Sequence, residues 1–290
     1  MRNATRTAKR AAVVAAALTL AGVTVAFTQP RSSGACGEVV TIQTHDRTTM
    51  RYTFAPATAP GQGEPVAVVL LAGGGGHLAL DQGGCPRALK GNSLVRSIPL
   101  FRDLGFVTAL VDSPSDYTGE DGLAGFRSSP QHAEDLGKVI VDVRTRANGL
   151  VWVIGTSRGT ISAANAASRL SGPAAPDGVV LTSALTSGTR GGRKPWVAQT
   201  VFDLPLDTIR MPLLIVGHGA DTCARTPPSA MSQIASRAPS PRKQIVTVTG
   251  GPGTPRDGVD ACEGRAPHGF VDQEGEVAAG IARFIRGGQY

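Results

Sequence analysis

Short apolar runs alternate with amphipathic stretches along most of the chain, and their spacing predicts alternating strands and helices. Residues 65–71 are a continuous apolar run with β-branched valines at three positions, and it ends just before four glycines. Residues 106–111 form a second such run, and residues 150–154, 178–181, 212–216 and 244–248 are the other predicted strands. Uninterrupted apolar runs of this length are typical of strands that are buried on both faces of a parallel sheet.

Helices are predicted in three of the five intervals between these strands and after the last strand. Residues 132–147 show the clearest pattern, with apolar side chains at helical spacing and charged side chains between them. The other predicted helices occupy residues 160–170, 228–238 and 271–285. Near the start, residues 39–44 and 50–55 predict an edge hairpin around a polar turn. This order predicts an α/β fold with a mostly parallel sheet covered by helices on both faces, and ligands bind such sheets at the carboxyl ends of the strands.

The first 30 residues carry four basic side chains and no acidic one, and residues 11–27 are an unbroken run of small or apolar residues. This layout is typical of a secretory signal peptide, so we predict an exported protein, periplasmic or secreted. An uncleaved N-terminal membrane anchor is the alternative, because 17 residues come close to spanning a bilayer. Without residues 1–30, the chain has 25 basic and 22 acidic residues. No basic run with interleaved aromatics remains, so we expect no nucleic-acid partner.

Residues 155–159 read GTSRG and match the G-x-S-x-G motif, which alone is weak evidence in a chain with 37 glycines. Here the motif directly follows the predicted strand 150–154 and opens the predicted helix 160–170. A nucleophile elbow requires this strand-turn-helix setting, in which flanking glycines allow close packing around a strained serine. We therefore predict that Ser157 is a nucleophile, and an ordinary helix-capping serine is the alternative.

With this motif in place, the sequence resembles the α/β-hydrolase family over residues 39–285. In that family the catalytic acid follows a later strand and the histidine precedes the last helix, in the order Ser, Asp or Glu, His. Asp221 follows the predicted strand 212–216, and His268 precedes the closing helix. The resemblance implies the α/β-hydrolase fold, in a single catalytic domain at residues 36–290.

The three residues suit nucleophilic catalysis. A serine hydroxyl is nearly inert at neutral pH unless an imidazole accepts its proton during attack on a carbonyl. His268 is the predicted base, and Asp221 is predicted to fix its tautomer and to stabilise the imidazolium. The remaining candidates receive other roles: His45 and His132 are expected on the solvated surface, His218 is expected to shape the loop before the acid, and Asp257 and Asp260 are rival acids.

The tetrahedral intermediate needs two N–H donors. The resemblance implies that one comes from Arg158, the residue after the nucleophile, and the other from the loop after the strand 65–71. That loop reads GGGGH and resembles the glycine-rich oxyanion loops of esterases and lipases, although its histidine follows the glycines instead of preceding them. We favour Gly75 as the donor, then Gly74, and a merely flexible turn is the alternative. His77 is expected either to contact substrate or to lie in solvent.

Only residues 184–211 are available for a cap over the site, and this length predicts a short flap and an open site. Trp196 in this flap is either a core residue or a wall of the substrate site.

We predict hydrolysis of a carboxylic ester or related acyl bond of a small-molecule substrate, without a metal or an organic cofactor. Peptidase, lactonase and thioesterase activities use the same triad, and a non-catalytic exported binding protein is a further alternative. The sequence does not indicate an oligomeric state.

Four cysteines in a chain bound for an oxidising compartment favour two disulfides over a metal site. Three pairings are possible, and we favour Cys36 with Cys85 and Cys223 with Cys262. Cys223 lies just after the predicted acid and Cys262 just before the predicted base, two loops that a triad brings together. For Cys36 the alternative is lipidation, because residues 33–36 loosely resemble a lipobox.

Overall fold

The structure is a computed structural model that describes residues 1, 36–61, 63–119, 121–191 and 193–290. The predicted signal peptide or membrane anchor lies outside the described residues, apart from Met1. Within the described ranges, no helix has both the length and the apolar character needed to cross a bilayer.

Eight strands form one sheet in the order β1-β2-β4-β3-β5-β6-β7-β8. Their bounds are β1 (Glu38–Gln43), β2 (Thr49–Ala55), β3 (Val66–Leu71), β4 (Val107–Pro114), β5 (Leu150–Thr156), β6 (Gly178–Thr182), β7 (Leu213–His218) and β8 (Lys243–Val248). Strand β1 pairs antiparallel with β2, and β2 pairs antiparallel with β4. All other neighbours are parallel. The predicted edge hairpin and mostly parallel sheet are confirmed.

Among the described residues, five α-helices accompany the sheet: α1 (Ser93–Asp103), α2 (Pro130–Ala147), α3 (Gly159–Arg169), α4 (Met231–Arg237) and α5 (Glu274–Ile285). The pattern analysis did not predict α1. The predicted closing helix begins three residues later than expected. Phe270 and Asp272 have φ angles of +52° and +57°, in the left-handed region that a helix cannot include.

The apolar strands are continuous in sequence because both faces of the sheet are covered. Along β3, Val69 and Leu71 pack into a core under α2, α3 and α4, whereas Val68 and Leu70 pack into a second core under α1 and α5. Period-two alternation therefore buries successive side chains on opposite faces. Strands β3 and β5 are neighbours, and only β6 separates β5 from β7. Because these strands are parallel, the loops that leave their carboxyl ends lie at the same edge of the sheet.

Candidate active site

Ser157 occupies a sharp turn between β5 and α3. Its φ angle is +51°, a strained value for a residue with a side chain, and its N–H donates to the Thr182 carbonyl at 3.0 Å. A Cβ on Gly155 would lie 2.4 Å from the Gly159 carbonyl oxygen, and a Cβ on Gly159 would lie 2.0 Å from the Leu71 carbonyl oxygen. The two motif glycines are therefore required by close packing of helix and strand around the serine.

Asp221 and His268 meet in a buried contact on the loops after β7 and before α5. The His268 Nδ1 lies 3.0 Å from the Asp221 Oδ2. The other carboxylate oxygen, Oδ1, accepts the Cys223 N–H at 2.9 Å. The Thr226 hydroxyl donates to the Asp221 Oδ2 at 2.9 Å and lies 3.0 Å from the His268 Nδ1. An acceptor carboxylate at Nδ1 selects the tautomer that carries its proton there, which leaves Nε2 free to act as a base.

Ser157 and His268 line the same cavity, which has a volume of about 180 Å³. Gly74, Asn92 and Cys262 also contribute to its walls. Among the described residues, no hydrogen bond joins the Ser157 Oγ to His268. Nucleophile and base are often separated in a ligand-free site and approach each other only in the complex with substrate. The structure thus brings the three predicted triad residues to one place.

The glycine loop after β3 lies against Ser157. A Cβ on Gly73 would lie 2.9 Å from the Ser157 Cβ, so the backbone approaches the serine as closely as a glycine permits. Gly74 has a φ of +55° and lines the cavity. Gly75, the donor favoured from the sequence, does not line the cavity, and its carbonyl accepts the Leu123 N–H at 2.8 Å. Of the two glycines, the second choice, Gly74, is therefore the one that borders the cavity beside Ser157.

Arg127 forms hydrogen bonds with the backbone of this loop, and the sequence analysis did not identify it as a residue of the site. Its side chain is completely buried and donates to the carbonyls of Ala72 at 3.1 Å and Gly74 at 3.2 Å, and to the Ser162 Oγ at 2.9 Å. Burial, together with the charge of Arg158, lowers the pKa of the Arg127 guanidinium to about 9, so it stays charged at neutral pH. An arginine in a polar stretch of sequence is usually exposed, so the sequence did not indicate that Arg127 binds the backbone of the glycine loop.

The two histidines expected on the surface are buried or nearly so, and that prediction was wrong. The His132 Nε2 lies 2.9 Å from the Ser162 Oγ, and burial, with the charges of Arg127 and His45, lowers its pKa to about 3. Burial also lowers the pKa of His45, but hydrogen bonds to Asp135 and Asp116 and their charges outweigh it and raise the pKa overall. These partners are distant in sequence, so local polarity did not reveal them.

Neither of the two candidate substrate contacts lines the cavity beside Ser157. The His77 Nδ1 lies 3.1 Å from the Ser113 Oγ and 3.4 Å from the Asp112 Oδ1. Trp196, in the flap, packs its ring under the Arg158 guanidinium at 3.8 Å. The His218 Nδ1 accepts the Ala220 N–H at 3.0 Å, so this histidine shapes the loop before Asp221, as expected. The rival acids Asp257 and Asp260 are exposed.

Both disulfides are present in the pairing favoured from the sequence, Cys36–Cys85 and Cys223–Cys262. The second bridge joins the loop of Asp221 to the loop of His268, and Cys262 itself lines the cavity. This bridge therefore ties the acid loop to a wall of the site.

No protein-family model matches the sequence, and no curated protein matches it. Solved structures do share its fold. An α/β serine hydrolase without a lid from Xanthomonas campestris is 15% identical, with 86% of this chain and 95% of that chain covered and a TM-score of 0.55. The esterase RhEst1 from Rhodococcus sp. ECU1013 is also 15% identical, with coverages of 86% and 99% and a TM-score of 0.54. A serine hydrolase homologue from Coxiella burnetii is 17% identical, with coverages of 86% and 97% and a TM-score of 0.53. At such identities the similarity concerns the fold, and together with the sheet order it shows that this chain has the α/β-hydrolase fold.

Proposed function

We propose that this chain is a serine hydrolase that cleaves a carboxylic ester or a related acyl bond through an acyl-enzyme. The observation that supports this most is the buried 3.0 Å contact between the His268 Nδ1 and the Asp221 Oδ2, at the wall of a cavity that Ser157 also lines. The esterases and serine hydrolases among the structures of similar fold agree with the proposal.

In this mechanism the Ser157 Oγ attacks the carbonyl carbon while the His268 Nε2 accepts its proton. Asp221 stabilises the imidazolium that results. The negative charge that forms on the carbonyl oxygen is stabilised by the N–H groups of Arg158 and Gly74. The intermediate then collapses, and His268 returns the proton to the departing alcohol. Water, activated by the same histidine, hydrolyses the acyl-enzyme and restores Ser157.

The proposal extends to the location of the protein. The two disulfides are compatible with export, because disulfides persist in oxidising compartments. We infer that the mature protein is periplasmic or secreted. Peptide mapping of the protein purified from the periplasm and from the medium tests this inference, and a reduced protein confined to the cytoplasm would contradict it.

The catalytic proposal is tested with Ser157→Ala, and Ser232→Ala on the exposed face of α4 is the matched control. We expect Ser157→Ala to lose about 10⁴-fold or more in kcat and to lose labelling by a fluorophosphonate, with thermal stability unchanged. The control should keep both. A panel of esters, amides, lactones and thioesters identifies the bond that is cleaved. Activity of Ser157→Ala within tenfold of wild type would refute the assignment, and a wild-type protein that is neither active nor labelled would favour a non-catalytic binding protein.

A further inference from the structure

Helix α1 begins beside the nucleophile, and its capping residue faces the cavity. The Asn92 Oδ1 accepts the Leu94 N–H at 3.1 Å, as expected of an N-cap. Because an N–H group donates only to the amide oxygen, this bond fixes which end of the side-chain amide is which. The Asn92 Nδ2 therefore points away from the helix backbone.

The free end of this amide lies close to the reacting centre. Asn92 lines the cavity together with Ser157 and His268. A Cβ on Gly73 would lie 3.5 Å from the Asn92 Nδ2 and 2.9 Å from the Ser157 Cβ, so one atom at that position would touch both side chains. Within the part of the chain that the structure describes, no hydrogen-bond acceptor pairs with this Nδ2. The amide thus presents donors that no described residue uses, in the cavity that Ser157 also lines.

Other walls of the same cavity are also polar. Ser93 and Thr156 also line it, and their hydroxyls lie 3.5 Å apart, a separation at which an O–H···O bond is weak. Apart from the proposed base, Glu263 is the ionisable side chain among the lining residues. A carboxylate at this wall disfavours an anionic substrate. The volume of about 180 Å³ is smaller than the pockets of about 300–1,000 Å³ that hold drug-sized ligands.

We propose that the Asn92 Nδ2 donates a hydrogen bond to an oxygen on the acyl part of the substrate, and that the cavity takes short, uncharged acyl groups bearing such an oxygen near the carbonyl. A purely alkyl acyl group of equal size leaves the Asn92 amide donor unpaired once it displaces water, which weakens its binding. This inference rests on the proposed function, because it assigns the acyl group to the space beside Ser157.

Two esters of equal size test the inference, p-nitrophenyl methoxyacetate and p-nitrophenyl butyrate. In the methoxyacetate, an ether oxygen replaces one methylene of the butyrate. The measured quantity is the ratio of their kcat/KM values, compared between wild type and each variant. This comparison cancels the difference in intrinsic reactivity of the two esters. Asn92→Ser and Asn92→Thr keep a capping oxygen and remove the donor, and Asn92→Asp keeps the shape and replaces the donor by an acceptor.

The control for the capping role is Ser129→Ala, which removes the cap of α2, where the Ser129 Oγ accepts the His132 N–H at 3.0 Å. We expect the methoxyacetate-to-butyrate ratio to fall about tenfold in Asn92→Ser and Asn92→Thr, the effect of one hydrogen bond, and further in Asn92→Asp. Thermal stability of the Asn92 variants should stay near that of wild type. Ser129→Ala should lower thermal stability and leave the ratio unchanged.

An unchanged ratio in the serine and threonine variants would overturn the inference, including the case in which both esters become slower by the same factor. That case would assign Asn92 to the oxyanion or to α1 alone. A labelled wild-type enzyme that hydrolyses neither ester would also overturn it, while the proposed function would stand. A wild-type protein that is neither labelled by a fluorophosphonate nor active on any acyl compound would reject the proposed function itself, and this inference with it.

Discussion

The two disulfides close loops of similar length, but only one of them lies at the candidate site, and this difference separates stability from catalysis. The cysteines are 39 residues apart in Cys223–Cys262 and 49 residues apart in Cys36–Cys85. In the chain-entropy model, loops of this size contribute about 4 kcal/mol each to the free energy of unfolding. Replacing either pair by serines should therefore reduce that free energy by nearly the same amount.

The effect on catalysis should differ between the two variants. The Cys223 N–H holds the Asp221 Oδ1 at 2.9 Å, and Cys262 lines the cavity six residues before His268. Loss of that bridge loosens the two loops that hold Asp221 and His268 in contact. Because a displacement of about 1 Å can reduce catalysis about 100-fold, we expect kcat/KM to fall about 10-fold to 100-fold in Cys223→Ser/Cys262→Ser. In Cys36→Ser/Cys85→Ser we expect a change of less than about twofold.

Guanidinium denaturation of both double variants measures the stability loss under the same non-reducing conditions. Hydrolysis of the best ester in the panel is then measured where both variants are folded, with the active fraction set by fluorophosphonate titration. Equal activity losses in the two variants would refute the reasoning that only one bridge supports the site. A stability loss below about 1 kcal/mol in either variant would refute the loop-closure argument for that bridge.

Two further predictions concern the buried polar side chains Arg127 and His132, near the glycine loop that follows β3. Arg127→Met removes the donors to the Ala72 and Gly74 carbonyls. We expect kcat to fall about tenfold or more with little change in KM, and the free energy of unfolding to fall by about 2–4 kcal/mol. A kcat equal to that of wild type would contradict the positioning role of Arg127. Burial lowers the pKa of His132 to about 3, so below about pH 6.5 the unfolded chain binds more protons at this residue than the folded chain does. The free energy of unfolding therefore decreases as the pH is lowered. Between pH 7 and pH 5 this loss is about 2 kcal/mol. His132→Gln should lack this part of the pH dependence in urea denaturation, whereas parallel curves for the two proteins would contradict it.

Much of the fold could be predicted from the sequence, because burial of apolar side chains leaves a local periodic record. The run at residues 65–71 indicated a strand covered on both faces, and the structure places the corresponding strand, β3, between two cores. Helix α1 was missed. Its apolar residues Leu94, Ile98 and Phe101 have helical spacing, but Pro99 lies within the helix and a polar, glycine-containing segment precedes it.

By itself, then, the sequence determined the alternation of strands and helices, the elbow around Ser157, and the residue types available for a triad. These features depend on a few neighbouring positions and on their order in the chain. Only the tertiary structure decided which polar groups pair: Arg127 with the glycine loop, His132 with Ser162, and Thr226 with the Asp221–His268 contact. The physical reason is that a buried polar group must find its hydrogen-bond partner in space, and the packing of the sheet brings that partner from a distant segment that local periodicity does not identify.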